Sequence, residues 1–435
     1  MIAHRSGSTH DPATRIRKAV RRITSLEGYI DYAEAGPCIL TYGPADIAGL
    51  GHLRRNTNIA LRFASETLTG NALVIGAWPT GLPSQDAPGV DFIKLPSVQR
   101  TEGRTWRPSS LRIDLRRLLD IRSSIIVSIL ESLQPDVFLV DYLPVGYCGE
   151  LQAALHLLKR RSSRTKMVLG LRDILDSPDV IRHTWERDGI YDVLEQYYNL
   201  ILIYGDPTVF DAAAEYGLNR LRRPEVRYCG YVGSDDLLKA GPGLPNKSAS
   251  SNTTRLLIVG GGGFDAYPMM SRCIDAVDLL RADCNLDGAL ITGPLMTPAD
   301  RQSLERKATG LPIAVIPYVD NPLDYIAGAD LVIGMAGYNT VVETIGLGKK
   351  MIAIPRSGPS AEQSMRANFF SAKGYLTTRC LEECSPSSLA ESIRQGLEPT
   401  DSGRPQPDLN GLAKVVDELL KTCYRFTAVQ PLGVR

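Results

Sequence analysis

The chain has 435 residues, with 49 Lys and Arg against 48 Asp and Glu and a net charge of +1. That balance excludes global attraction to nucleic acid or to an anionic membrane, so no nucleic-acid partner is expected. At 43% hydrophobic and 22% charged residues, the composition is that of a globular protein long enough for two domains, and no run reaches the roughly eighteen apolar residues of a spanning helix.

Residues 1–35 carry Arg15, Arg17, Lys18, Arg21 and Arg22 after a polar start. They read as a flexible basic extension, or alternatively as a peripheral contact with anionic lipid. The start lacks the apolar core of a secretory signal. The eight cysteines, Cys38, Cys148, Cys229, Cys273, Cys284, Cys380, Cys384 and Cys423, are scattered without a CxxC pair or a histidine at zinc spacing. Free thiols in a reducing compartment follow, and a cytoplasmic location is expected, with peripheral contact at the inner membrane face as the extension of the lipid reading.

From Cys38 onward, short apolar runs alternate with helical patterns. Strands are expected at 38–43, 72–77, 91–96, 137–143, 166–171, 200–204 and 226–232, with helices from about Arg54, over 111–133 and over 147–160. This alternation predicts an open, mostly parallel sheet. Residues 241–254, rich in Gly, Pro and Ser, read as a linker. Beyond it the pattern restarts with strands at 256–259, 289–293, 313–319, 331–335 and 351–355, and a closing helix at 412–424. The domain reading is an N-terminal Rossmann-like half at 36–240, the linker, a C-terminal Rossmann-like half at 255–426 and a tail at 427–435. A ligand is expected in the cleft between the halves, at the carboxyl ends of the strands.

The most informative stretch runs from Leu331 to Pro355 and reads as strand, glycine turn, helix, strand. Gly334 and Gly337 let the backbone turn and approach a ligand, and Asn339 and Thr340 are expected to cap the following helix. A helix N-terminus offers free N–H groups to phosphate. Glu343, one turn further on, places a carboxylate near that anion, which suits a nucleoside diphosphate whose ribose needs a hydroxyl acceptor. A packing turn with a solvated Glu343 is the competing reading.

In the first half, Gly49-Leu-Gly51 precedes His52, Arg54 and Arg55. Of five histidines, His52 alone is expected at a strand-to-helix turn facing the cleft. Imidazole suits deprotonation of a hydroxyl near neutral pH, and the alternative is a packing histidine. Arg54 and Arg55 either face a phosphate or are solvated. Asp141 and Asp173, each after a strand, bind acceptor, orient His52 or cap the next helix. In the second half, Gly260 to Gly263 form a turn for a phosphate or the acceptor, with Gly261, Gly262 and Gly263 as candidates. Tyr318 and Val319 offer main-chain groups to a flat base. Glu362 and Gln363 stand where a sugar's hydroxyls could be gripped, or Glu362 is simply a first-turn acid. No two aspartates are separated by a single residue. The Asp-x-Asp pair common to metal-dependent sugar transfer is therefore missing, and no metal or other cofactor is expected.

Taken together, Gly260-Gly-Gly-Gly263, Tyr318-Val-Asp-Asn321, Gly334-Met-Ala-Gly-Tyr-Asn-Thr-Val-Val-Glu343 and Pro359-Ser-Ala-Glu-Gln363 appear in an order that resembles GT-B-fold glycosyltransferases. The nearest resemblance is to the family 28 group around the lipid II-forming N-acetylglucosaminyltransferase, over about residues 37–420. It implies two Rossmann-like domains with parallel sheets facing across a cleft. It implies inverting transfer from a nucleotide-diphosphate sugar, most often a uridine one, to a small-molecule, glycan or lipid-linked acceptor. It further implies ribose binding by Glu343, diphosphate binding by Ala336, Gly337, Tyr338, Asn339 and Thr340, a donor-sugar contact by Gln363, and His52 near the reacting hydroxyl. Met335-Ala336 replace a serine and glycine frequent in the family. A hydrolase or epimerase on the same scaffold, or a non-catalytic nucleotide-sugar binder, are the competing functions.

Overall fold

A computed structural model of the chain describes residues 36–44, 50–77, 87–100, 106–160, 164–234, 253–319, 321–398 and 406–424. The basic extension, the tail, Gly49, Asp320 and nearly all of the expected linker lie outside the described residues. From Gly36 onward the described residues form one compact unit.

The first half is a seven-stranded sheet built from β1 (Cys38–Tyr42), β2 (Asn71–Gly76), β3 (Val90–Lys94), β6 (Val137–Asp141), β7 (Lys166–Arg172), β8 (Leu200–Tyr204) and β9 (Glu225–Tyr228). Its order is β3-β2-β1-β6-β7-β8-β9, and every pairing is parallel. β6 and β8 are buried at all positions, which their unbroken apolar sequences require of strands covered on both faces. A small antiparallel pair, β4 (Val98–Arg100) and β5 (Trp106–Pro108), stands apart; the sequence reading missed it because each strand has only three residues.

The second half has a six-stranded sheet from β10 (Thr254–Val259), β11 (Leu286–Ile291), β12 (Ile313–Ile316), β13 (Leu331–Gly334), β14 (Lys350–Ala353) and β15 (Thr377–Thr378), in the order β12-β11-β10-β13-β14-β15 and again all parallel. β12 stops short of the expected 319 because Pro317 cannot donate to a strand ladder. Both sheets reverse direction of growth once, between β1 and β6 and between β10 and β13. Those switch points open a crevice at the carboxyl ends of the strands.

Helix boundaries depart from expectation at two places that matter. The helix Leu50–Ser65 starts ahead of Arg54, so His52 sits inside its first turn rather than before it. The helix Tyr338–Gly346 has Gly337 as its N-cap and no side-chain cap. Asn339 and Thr340 therefore do not cap; they are the second and third helical residues, because the turn is already completed by Ala336 in the left-handed region (φ 60°) and extended Gly337 (φ −62°, ψ 145°).

The last helix, Gly411–Tyr424, packs on the helix Leu50–Ser65 and on β6. Its Leu412, Val415, Val416 and Leu419 share one core with Ile39, Ile59, Phe63 and Val137. The expected C-terminal domain thus gives its closing helix to the first half. That same core takes in Tyr338, Val341, Val342 and Phe370 from the second half, so the halves share buried apolar surface as well as polar bridges.

Candidate functional site

The site is assembled from the start of the helix Leu50–Ser65 and the ends of β6 and β7 on one side, and from the turns after β10, β12, β13 and β14 on the other. In the first half, His52 and Asp141 meet at the switch point. His52 Nδ1 lies 2.8 Å from Asp141 Oδ2. Arg55 donates to both carboxylate oxygens of Asp141, at 2.8 and 2.7 Å. Asn56 adds a contact from its Nδ2 to the His52 carbonyl at 3.0 Å. Arg55 NH2 also lies 3.0 Å from His52 Nδ1; in the tautomer that donates its Nδ1 proton to Asp141, Nε2 is the nitrogen left to take a proton. Burial lowers the His52 pKa from its ordinary value of 6.5, and the Asp141 carboxylate opposes this only in part. Burial would raise Asp141, but Arg55 and then His52 hold it below the usual carboxylate range. The imidazole is thus neutral, oriented and backed by a fixed carboxylate, the arrangement of a general base. Of the readings open for Asp141, orientation of His52 is the one its contacts fit. Tyr142 follows in the left-handed region (φ 73°), its ring centroid 5.4 Å from that of His52.

Asp173 does not join this group. Its carboxylate accepts from Arg366 at 2.7 and 2.9 Å, and both residues are buried. It is committed to an ion pair between the halves and is not a base in this arrangement.

In the second half, β13 runs into Ala336 and Gly337 and the helix Tyr338–Gly346. A Cβ at Gly337 would meet nothing within 4 Å, so the turn faces open space. Tyr338 points elsewhere: its hydroxyl accepts from Val232 N at 2.8 Å and donates to Tyr204 O at 3.0 Å. Its side chain fastens the turn to the first half and leaves only its backbone for a ligand. Asn339 comes close to the opposite helix start, its Nδ2 being 3.3 Å from where a Cβ on Gly51 would stand. The two helix N-termini therefore face each other across the crevice.

Glu343 is 3% exposed, so the solvated-face reading does not hold. Arg54, from the first half, is its partner at 2.9 Å. Burial pushes the Glu343 carboxyl up to about 7 despite Arg54. Arg54 thus meets a carboxylate in this arrangement, with its side chain part-exposed.

The turn after β10 divides by function. A Cβ on Gly263 (φ 94°) would come within 2.3 Å of Thr292 O, so packing alone demands glycine there. Gly261 (φ 60°) has open space around it, and Gly262 meets only Leu295 at 3.4 Å. Phe264 beside them is exposed. Tyr318 is exposed in the loop after β12 and Val319 packs at the edge of the small core around β10. Glu362 accepts from Arg172 at 2.6 Å and from Arg366 at 3.0 Å, and these cations hold its carboxyl low although burial would raise it. Glu362 therefore bridges the halves. Gln363 accepts from Arg356 N at 3.2 Å through Oε1, which leaves its amide NH2 for a ligand.

Sequence reasoning missed Arg366 and, for Arg55 and Arg172, which it placed at a phosphate, in solvent or at the acceptor, it missed the partners Asp141 and Glu362. For Arg366 a signal existed, since it follows Glu362 by four residues on one helix face; for Arg55 and Arg172 the partners are distant in sequence. Among the described residues no group of three His, Cys, Asp or Glu is placed to hold a metal ion, and no described helix is long and apolar enough to cross a membrane.

A sequence model of the Glycosyltransferase family 28 C-terminal domain matches residues 255–418. An "Uncharacterized glycosyltransferase" of Methanosarcina acetivorans is 22% identical over 386 residues, covering 85% of this chain and 90% of the relative. The UDP-N-acetylglucosamine–N-acetylmuramyl-(pentapeptide) pyrophosphoryl-undecaprenol N-acetylglucosamine transferase of Nitrosospira multiformis is 25% identical over 329 residues, covering 73% of this chain and 79% of the relative. Among solved structures, a putative UDP-N-acetylglucosamine 2-epimerase from Listeria monocytogenes superposes with a TM-score of 0.60 at 12% identity, covering 92% of this chain and 100% of that one. The two facing parallel sheets are the GT-B arrangement, shared with solved glycosyltransferases. The match to the family 28 model is confined to residues 255–418, and the chain is an enzyme of glycosyltransferase type.

Proposed function

We propose that this protein transfers a sugar, with inversion, from a nucleoside-diphosphate sugar to an acceptor hydroxyl, without a metal ion. Uridine diphosphate is the favoured nucleotide, in keeping with the donor in the Nitrosospira relative's name. The observation that carries the reading is the pairing of His52 and Asp141 at one switch point with the Gly337 turn and Glu343 across from them at the other.

In this mechanism the ribose hydroxyls donate to Glu343, displacing Arg54. The diphosphate lies against the N–H groups of the helix beginning at Tyr338, and the displaced Arg54 turns to it. Gly261 and Gly262 allow close backbone approach on the other side. Main-chain groups at Tyr318 and Val319 meet the base, and Gln363 meets the sugar. His52 Nε2 takes the acceptor proton as that oxygen bonds to the anomeric carbon. The bond from that carbon to the diphosphate breaks on the opposite face, and the leaving charge is held by the helix N–H groups. The missing Asp-x-Asp pair supports metal-free departure. The acceptor is a small molecule, a glycan or a lipid-linked sugar.

A thermal-shift panel of nucleotide sugars, followed by mass analysis of reactions with candidate acceptors, tests the reading. Transfer of one sugar to an acceptor is expected. Nucleotide release without acceptor would make the protein a hydrolase, sugar isomerisation would make it an epimerase, and binding without turnover would make it a non-catalytic binder.

A further inference from the structure

We infer that Arg366 is a positioning residue that couples the seating of the two halves to the shape of the diphosphate-binding turn, an inference that rests on the reading of that turn given above. The turn depends on Ala336, which holds φ 60° with a Cβ present. A non-glycine residue there is strained and persists only where its surroundings fix it. The group that fixes it is Arg366, whose NH1 donates to the Ala336 carbonyl at 3.0 Å.

The same guanidinium faces the first half. Its Nε and NH2 donate to the two oxygens of Asp173 at 2.9 and 2.7 Å, and NH2 also reaches Ile174 O at 3.3 Å. NH1 further donates to Glu362 at 3.0 Å. The guanidinium carbon lies 5.6 Å from the centroid of the Tyr338 ring. Arg366 is fully buried, so these contacts are not diluted by water.

One rigid planar fork therefore joins the loop after β7 to the peptide that precedes Gly337. Its donors have fixed mutual directions, so the Ala336 carbonyl is aimed only while Asp173 holds the opposite edge. Aiming that carbonyl sets the plane of the Ala336–Gly337 peptide and the approach to the helix N-terminus. When the halves separate, Asp173 leaves, and the turn loses what holds it left-handed. The diphosphate site is complete only in the seated arrangement.

The test uses the full-length protein and two probes, uridine diphosphate and uridine, with calorimetry for affinity and hydrogen exchange for the turn at 334–341. Arg366→Lys keeps a cation beside Asp173 but cannot fork. Asp173→Asn alters only the far edge of the fork and remains informative should the lysine variant not fold. Each variant is expected to bind uridine diphosphate about tenfold more weakly, to keep uridine within about twofold, and to exchange faster at the turn. Adding Ala336→Gly to Arg366→Lys should recover about three- to fivefold of the loss, because glycine reaches positive φ without strain. Equal losses for both probes, or no recovery with glycine, would assign Arg366 a purely structural role and overturn the inference. Wild-type protein that binds uridine diphosphate alongside variants that bind it equally well overturns the inference alone. Wild-type protein that binds neither probe overturns the nucleotide reading, and the positioning role with it.

Discussion

Arg54 and Glu343 belong to opposite halves of the protein, yet their charged groups stand 2.9 Å apart. The contact places the carboxylate proposed for ribose against a cation that a donor must move aside. Two more bridges run beside it, Arg172 to Glu362 at 2.6 Å and Arg366 to Asp173 at 2.7 Å. Among the described residues, these crevice charges are matched in pairs.

Glu343→Gln is expected to weaken uridine diphosphate binding by about ten- to a hundredfold, the loss of a charge-assisted hydrogen bond of roughly 1.5–3 kcal/mol. The same change should alter the pH dependence of stability. Burial pushes the Glu343 carboxyl up to about 7, above its ordinary 4.5. The folded state thus favours the protonated form, and this contribution is present at low pH and lost as pH rises through about 7. The melting temperature of Glu343→Gln should therefore gain on wild type between pH 5 and pH 8. A constant difference across that range would contradict the raised pKa.

His52→Ala should lose about 10²- to 10⁴-fold in turnover, the usual worth of a general base, with donor affinity nearly unchanged. Because burial lowers the His52 pKa from 6.5, the wild-type rate should rise with pH and reach half its plateau below that value. Turnover within about threefold of wild type in the folded variant would make His52 a structural residue.

Asp141→Asn removes the carboxylate that raises the His52 pKa. The half-rise of the pH–rate profile should move further down, and the plateau should fall as the ring loses its orientation. The variant also strands the buried Arg55, so a stability loss of about 3–5 kcal/mol is expected from breaking a buried pair. Denaturant titration beside the pH profile separates the two effects, and an upward shift of the half-rise would rule out the proposed role.

Sugar transfer should persist in excess chelator. Loss of activity that magnesium or manganese restores would show that the departing diphosphate needs a cation as well as the helix N–H groups.

The repeating strand–helix order, both glycine turns and the cleft were legible because parallel strands covered on both faces carry unbroken apolar runs, as β6 and β8 do. Glu343 and His52 were legible from their distance to a glycine turn. Their partners were not. Arg54 to Glu343, Arg55 to Asp141 and Arg172 to Glu362 are joined by folding across 289, 86 and 190 residues of chain respectively, and no local pattern encodes such pairings. The expected capping by Asn339 and Thr340 failed because Ala336 turned the chain a step earlier, in a conformation that a sequence with alanine at that position does not advertise.

The helix Gly411–Tyr424 returns to the first half, so the polypeptide passes between the halves twice, once between Val232 and Thr254 and once between Glu398 and Gly411. A body joined at one point can swivel in any direction. One joined at two points has both of its ends tethered, so any parting of the Arg54, Arg172 and Arg366 bridges has to be accommodated by two connections at once.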